Sequence, residues 1–414
     1  MINYKKIGFI PADILIPNTK EMNKWSVVAC DQYTSQPEYW QRVRKFVGDA
    51  PSTLQLILPE AELESADPSA VHKKMAEYTS KDLFRTLPSS MVYLHRTQDD
   101  GALRQGLIGA LDLECYDYHK GSQTLCRATE GTVEDRLPPR IRVRKEAPME
   151  LPHIMVLIDD PKFTVIEALE EKVSDADCIY DFDLMERGGH LKGYQIKNED
   201  CDEILKNIAA LTGEEEHPLL FAMGDGNHSL ATAKACYEQL KLEIGEKALD
   251  HPARYCLVEL VNLHSPALQF EPIHRIVTKI NPEALLDTLK EYGLEKGDKY
   301  SQTIEIVCKG VHTTYSFAKE SSKLAVGSLQ NALDTIVPQL NGEIDYIHGE
   351  DVVENLSMNE NALGFILPNM EKEDLFPTVI ADGALPRKTF SMGHAHDKRF
   401  YLECRRIIEE LATF

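Results

Sequence analysis

Apolar positions along this chain recur with two periods. Short apolar or alternating runs predict strands, and runs with apolar residues three and four apart predict helices. Residues 7–17 read as a strand entering a turn bounded by Pro11 and Pro17, and Val27-Val28-Ala29-Cys30 as a short strand before the polar Asp31-Gln32-Tyr33-Thr34. A helix is expected over 37–47, with Pro37 in its first turn, and another over 69–84. Residues 91–95 and 107–113 predict two strands around Asp99-Asp100-Gly101, a hairpin signal. Further strands are expected at 154–158, 254–261, 303–307 and 362–367. Further helices are expected at 161–173, 282–292, 327–337 and 398–411. Strands and helices alternate throughout, so the fold class is α+β, a mixed α/β chain.

One stretch combines this pattern with chemistry. The apolar run 218–223 predicts a buried strand, and Gly224-Asp225-Gly226-Asn227-His228-Ser229 follows it. Residues 230–240 then carry apolar residues at Leu230, Ala233, Tyr237 and Leu240, a helical spacing. Gly226 allows close backbone approach to a ligand. The first helical N–H groups lack internal partners and favour anions. Asp225 would repel a bare phosphate, so a bridging Mg²⁺ or a protonated substrate group is the more sensible partner. The structural alternative is that Asp225 or Asn227 caps the helix.

Composition narrows the function classes. The chain has 414 residues, which favours two or three domains. Breaks are expected in 137–152 and 276–302. They divide the chain into an N-terminal α/β region (1–150), a central region with the Asp-Gly-Asn-His turn (151–280) and a C-terminal α/β region (281–414). A net charge of −22 argues against nucleic-acid and anionic-membrane binding. No apolar run approaches the ~18 residues of a membrane span. No signal peptide is recognisable, and the nine cysteines are scattered without a C-x-x-C pair, which implies reduced thiols and a cytoplasmic protein.

Other constellations could hold anions. Arg136, Arg140, Arg142, Arg144 and Lys145 form a basic stretch after Glu130-Gly131. If residues 140–144 are extended, Arg140, Arg142 and Arg144 share a face and suit phosphate or carboxylate. A charge-guarded edge strand is the alternative. His274-Arg275 ends an apolar run after Pro272. Pro386-Arg387-Lys388-Thr389 follows what reads as a strand and turn over 378–383, and could grip phosphate or form an ordinary basic turn. His394 and His396 alternate as on a metal-binding strand, without an identifiable third ligand. No P-loop, dinucleotide fingerprint, H-E-x-x-H helix or nucleophile elbow is present.

Four of these elements, in order, resemble a bacterial and archaeal family, the domain of unknown function 1015 proteins. They are the acidic turn at Arg127-Ala128-Thr129-Glu130-Gly131, the Asp225-Gly226-Asn227-His228-Ser229 turn, Pro272-Ile273-His274-Arg275 after Leu260-Val261-Asn262, and Pro386-Arg387-Lys388-Thr389. The resemblance runs from about 120 to 390. The family's Asp-Gly-His-His-Arg turn has Asn227 and Ser229 here in place of its second histidine and its arginine, so Arg275 or Arg387 would supply the missing cation. Cys30 to Thr34 replaces the family's Pro-Tyr-Asp pattern but keeps Asp31 and Tyr33. The Asp-Gly-His turn also resembles the ParB/sulfiredoxin-like fold, some of whose members phosphorylate free serine.

That more distant resemblance implies ParB/sulfiredoxin-like elements in a larger multi-part chain. It also implies a small-molecule kinase acting on a free hydroxy amino acid such as serine. Mg²⁺ and a purine nucleotide, ATP or ADP, would be its cofactors. Asp31, Glu130, Asp225 and His228 are the catalytic candidates, with Asp31 or Glu130 taking the acceptor proton and Asp225 holding the metal. Gly226, Asn227, Arg140, His274, Arg275, Arg387 and Lys388 would bind phosphate or substrate. Two rivals stand beside this reading. One is a nucleotide-binding regulatory switch. The other is a metal-dependent hydrolase using Asp225, His228, His394 and His396. The expected partner is a small molecule, with no nucleic acid and no membrane; the sequence sets no oligomeric state.

Overall fold

The computed structural model describes residues 6–213 and 216–408. It is an α+β fold in two compact units, both discontinuous in sequence, where three consecutive regions were expected. The first unit comprises Met1–Ala128, Thr132–Leu268 and His394–Phe414; the second comprises Thr129–Gly131 and Gln269–Gly393.

The first unit is built on a mixed eleven-stranded sheet. Its main path runs Tyr116–Asp117, Cys126–Arg127, Phe221–Asp225, Met155–Ile158, Tyr255–Asn262, Leu103–Asp112, Phe84–Thr97, His190–Ile196, Cys178–Asp183. The expected hairpin at Asp99-Asp100-Gly101 joins two of its longest strands, with Val92 opposite Ile108 and Thr97 opposite Leu103. Strand alternation divides the side chains between two cores. Val92, Leu94, Ile108 and Leu257 enter one, with Trp25, Trp40, Val43 and Met75. Met91, Tyr93, Leu107, Cys256 and Val258 enter the other, with Leu230 and Tyr237 of the Asn227–Ile244 helix. Covering both faces explains why these strands read as nearly unbroken apolar runs.

The second unit is a six-stranded antiparallel sheet, in the order Leu294–Lys296, Val311–Phe317, Thr303–Cys308, Ala362–Ile366, His274–Thr278, Glu343–Ile347. The Pro282–Glu291 and Ala325–Gln339 helices contribute to one core, and Val353 of the Glu350–Ser357 helix to a smaller one with Ile276, Val307 and Ile366. The Pro282–Glu291 helix begins as its sequence predicts. Asn281 Oδ1 accepts from the Glu283 and Ala284 N–H groups, with Pro282 in the first turn.

Several expected elements differ. The basic stretch is helical over Leu137–Arg144. Pro138 and Pro139 sit in its first turn, where a fixed φ and a missing N–H cost little. Arg140 and Arg144 therefore share a face as i and i+4, not as alternate residues of a strand. Residues 378–381 belong to the Leu375–Asp382 helix, which Gly383 ends in a left-handed conformation. Between 161 and 173 only a short 3₁₀ turn, Glu167–Glu171, forms. Val27 to Cys30 makes a single bridge, Val28 to Phe400. Residues 398–408 are extended instead of helical, because their backbone pairs elsewhere: Ala29 N–H donates to Arg399 O (3.0 Å), Tyr401 N–H to Val27 O (2.8 Å) and Cys404 N–H to Leu15 O (3.0 Å). Residues 409–411 of that expected helix lie outside the described residues.

Candidate functional site

The central turn is built as its spacing predicts. Strand Phe221–Asp225 is followed by Gly226 at φ 77° and then by the Asn227–Ile244 helix, which carries no side-chain cap. Asp225 does not cap it, because Asp225 Oδ1 accepts from Gly226 N–H at 2.9 Å. Inside the helix, Ser229 N–H and Leu230 N–H already reach Gly226 O, at 3.0 and 3.1 Å. The Asn227 and His228 N–H groups are then the donors that an anion would meet. A side chain at position 226 would meet Ile154 Cα at 3.1 Å and His153 Cδ2 at 3.5 Å, so the turn packs closely on the chain entering strand Met155–Ile158.

Around this turn the first unit gathers a polar cluster. His153 is buried; its Nδ1 lies 2.7 Å from Tyr401 Oη and its Nε2 3.3 Å from Ser229 Oγ. Asp31 Oδ2 lies 3.9 Å from the same Nε2. Tyr401 Oη also accepts from Cys30 N–H at 3.2 Å. Lys398 Nζ stands 3.4 Å from Asp225 Oδ2, and Arg140 pairs with Glu60 at 2.5 Å. The extended segment 394–407 thus delivers Lys398 and Tyr401 to the cluster. Arg399 pins it, donating to Glu259 and Glu403 at 2.8 Å each, and to Pro152 O.

The electrostatics separate the groups. Burial alone would raise the Asp31 carboxyl, but His153, the Gln32 amide and Lys398 outweigh it and hold Asp31 below the usual carboxylate range. Burial pushes His228 down, as do the Arg140 and Arg136 charges, so its imidazole is neutral. Its buried Nε2, like Asn227 Oδ1, has no hydrogen-bond partner among the described residues. Burial and the neighbouring Asp31 push the Cys30 thiol up to about 12, and burial holds Tyr401 as a neutral phenol. The first unit therefore brings together Asp31, Arg140, Asp225, Gly226, Asn227 and His228 of the expected site residues. Sequence reasoning missed Glu60, His153, Lys398 and Tyr401. No local signal marks His153 or Glu60, and the two C-terminal residues fall in a segment that reads as a helix.

The other expected residues belong to the second unit. Glu130 forms a parallel bridge with Leu385. Two phosphate-binding expectations are corrected. Arg275 is fully buried, and its guanidinium donates to Gln330 Oε1, Ile273 O, Lys388 O and Arg387 O, so it holds its own chain together. His274 is buried with its pKa lowered to about 4 by desolvation and by Arg275, and its Nδ1 accepts from Leu367 N–H at 3.1 Å. Arg387 remains exposed, with Nε 2.7 Å from Tyr346 Oη. Lys388 is exposed at φ 57°.

Asp225, His394 and His396, expected at a metal, have other neighbours in the structure. Among the described residues no three His, Cys, Asp or Glu groups are arranged to hold an ion. Asp225 has one oxygen on the Gly226 N–H and the other facing the Lys398 ammonium, which stands where the cation was expected. Magnesium is commonly held by one or two carboxylates together with substrate phosphates, so the expectation at Asp225 is of an ion shared with a nucleotide, not of a site built by the protein alone. Residues 395–397 form a 3₁₀ turn, and the His394 and His396 rings stack at 5.3 Å instead of converging on an ion.

A family model described as "Protein of unknown function (DUF1015)" matches residues 10–336, and the chain belongs to that family. No curated protein matches it. Among solved structures it is similar to a free serine kinase in complex with AMP, at 12% identity and TM-score 0.38, over 71% of this chain and 90% of that one. It is also similar to a conserved hypothetical protein from Pyrococcus furiosus, at 10% identity and TM-score 0.37, over 71% and 93%. A third is SbnI with a C-terminal truncation from Staphylococcus aureus, at 10% identity and TM-score 0.36, over 73% and 83%. No described helix is long and apolar enough to cross a membrane.

Proposed function

We propose that the first unit is a small-molecule phosphotransferase. The phosphates of a purine nucleotide, ATP or ADP, bind at the uncapped start of the Asn227–Ile244 helix. The terminal phosphoryl group passes to a small hydroxyl compound, for which a hydroxy amino acid such as serine is the simplest candidate. The observation that carries this reading is the ionised Asp31 beside His153 and Lys398, close to a helix terminus that no side chain caps.

In this reaction the acceptor oxygen forms a bond to phosphorus as the bond to the leaving phosphate oxygen breaks. The acceptor proton goes to Asp31. A depressed carboxyl suits this role, because phosphoryl transfer needs an oriented hydroxyl and charge neutralisation more than a strong base. Tyr401 fixes the His153 ring. Its oxygen accepts from Cys30 N–H and lies 2.7 Å from His153 Nδ1, so the ring is held with Nε2 facing Ser229 and Asp31. Lys398 places a positive charge beside the bound phosphates.

The test is Asp31→Asn. Phosphoryl transfer should fall by roughly 10²-fold or more, the scale of losing a positioned acid–base group. Nucleotide binding, read as a thermal shift, should persist. Full activity in the Asp31→Asn variant removes Asp31 from the chemistry. If nucleotides bind but neither serine, threonine and homoserine nor simple alcohols yield a phosphorylated product, the transfer reading fails in favour of a nucleotide-binding switch.

A further inference from the structure

The polar cluster of the first unit borders a cavity of about 150 Å³. Cys30, His153, Ser229 and Tyr401 line it, so it reaches the His153 ring, whose Nε2 lies 3.9 Å from Asp31 Oδ2. Most of its remaining wall is apolar and buried: Leu56, Ile57, Leu63, Met75, Ala147 and Met149. Four charged residues also line it, and they pair two by two. Arg140 lies 2.5 Å from Glu60, and Arg144 2.6 Å from Glu150. The wall therefore offers no unanswered charge to a ligand.

A charged group entering this space would lose its water and find each ion already matched, an unfavourable exchange. An apolar group would gain. Volume bounds its size, since water takes ~30 Å³ per molecule and engineered apolar cavities of roughly 150 Å³ accept benzene.

We propose that this cavity binds the uncharged, apolar substituent of the acceptor, a group of up to about six carbons. The acceptor is then an apolar-tailed alcohol, with its hydroxyl at His153 and Ser229 and its tail against Met75 and Met149. Free serine carries two charges and lacks the tail. The word "acceptor" rests on the phosphotransferase reading; the binding of an apolar alcohol does not.

The test uses the full chain without nucleotide. Binding of 1-propanol through 1-hexanol is measured by ligand-observed NMR. Affinity should rise roughly fourfold per methylene, the factor expected for burying each CH₂, and serine should not displace 1-hexanol. Leu63→Phe and Ala147→Leu each reduce the cavity. In whichever of them melts cooperatively, the rise should stop at a shorter alcohol. A flat wild-type series, displacement by serine, or an unchanged series in a folded filled variant overturns the proposal. Displacement of 1-hexanol by adenosine also overturns it and assigns the cavity to the nucleobase. The two readings fail separately. Transfer to serine with a flat alcohol series overturns the cavity proposal alone. A rising series with no phosphorylation of any hydroxyl compound by ATP or ADP overturns the phosphotransferase reading, and with it the tail's identity as part of an acceptor.

Discussion

Replacing Arg399 with methionine tests how the C-terminal segment is held. Arg399 is 3% exposed, and its guanidinium meets Glu259 Oε2 and Glu403 Oε2 at 2.8 Å each, with a third contact to Pro152 O. Methionine keeps much of the aliphatic length and removes the charge. Glu259, which is fully buried, would keep Arg104, at 3.6 Å, and the more distant Arg96 charge. Glu403 would keep Tyr180, whose hydroxyl donates at 2.5 Å. Removing one partner of a buried ion pair costs about 3–5 kcal/mol, most of it from the charge left behind. At a urea dependence of about 2–3 kcal/mol per molar, the unfolding midpoint of Arg399→Met should fall by roughly 1–2.5 M. Adding Glu259→Gln removes one stranded charge, so the double variant should recover at least about 1 kcal/mol relative to additivity. The measurement is urea unfolding followed by far-UV circular dichroism. A midpoint loss equivalent to under about 1 kcal/mol, or strict additivity in the double variant, would refute the idea that this ion network holds the segment carrying Lys398 and Tyr401.

Two further changes probe the turn and the second unit. Gly226→Ala puts a side chain on a residue at φ 77° with Ile154 Cα only 3.1 Å from the new carbon. It should destabilise the first unit by about 1–2 kcal/mol, the cost of left-handed backbone for an L-residue, and weaken nucleotide binding in a thermal-shift assay. Unchanged melting and binding would show that the turn tolerates a side chain. His274 has its pKa lowered from 6.5 to about 4 by burial and by Arg275, so the folded state holds its proton less tightly than the unfolded chain. Its contribution to stability is complete above pH 6.5 and is lost as pH falls toward 4. His274→Asn keeps an acceptor for Leu367 N–H without the titration, so its urea midpoint should vary less than wild type over that window. Parallel profiles would exclude His274 as the source.

Much of the fold was legible because local pattern and tertiary demand agree. The helix Pro37–Val47 forms over the residues its spacing marked, and the Asp99-Asp100-Gly101 turn joins the hairpin its flanking strands required. The Asp225-Gly226 turn was legible for the same reason, since a positive φ after a buried strand needs glycine. For the basic stretch at 140–144 the shared face of Arg140, Arg142 and Arg144 was conditional on an extended chain; two prolines at its start favour a helical first turn instead. Its arginines were counted as free for ligands, but Arg140 and Arg144 answer Glu60 and Glu150. Arg275 and His274 failed as phosphate ligands on a related ground. Residue type announces what a side chain can bind, and only the fold decides whether its own main chain has already taken that capacity.

The C-terminal segment is the limiting case of this argument. Read alone, residues 398–408 have no reason to be extended, and helix propensity favours what was expected of them. Strand-like pairing with residues 15, 27 and 29 overrides that preference, because each buried N–H and C=O needs a partner and those partners lie far away in sequence. The same pairing sets the spacing of the site. With the backbone held at Val27 and Ala29, Tyr401 Oη reaches both the Cys30 N–H and His153 Nδ1, the latter 248 positions away in sequence. Lys398 comes within 3.4 Å of Asp225 in the same way. A polar cluster assembled by a returning strand has no local motif to betray it. Its geometry is therefore only as firm as the buried contacts of Arg399 beside it, which links the stability of that ion network directly to the placement of the groups around Asp31.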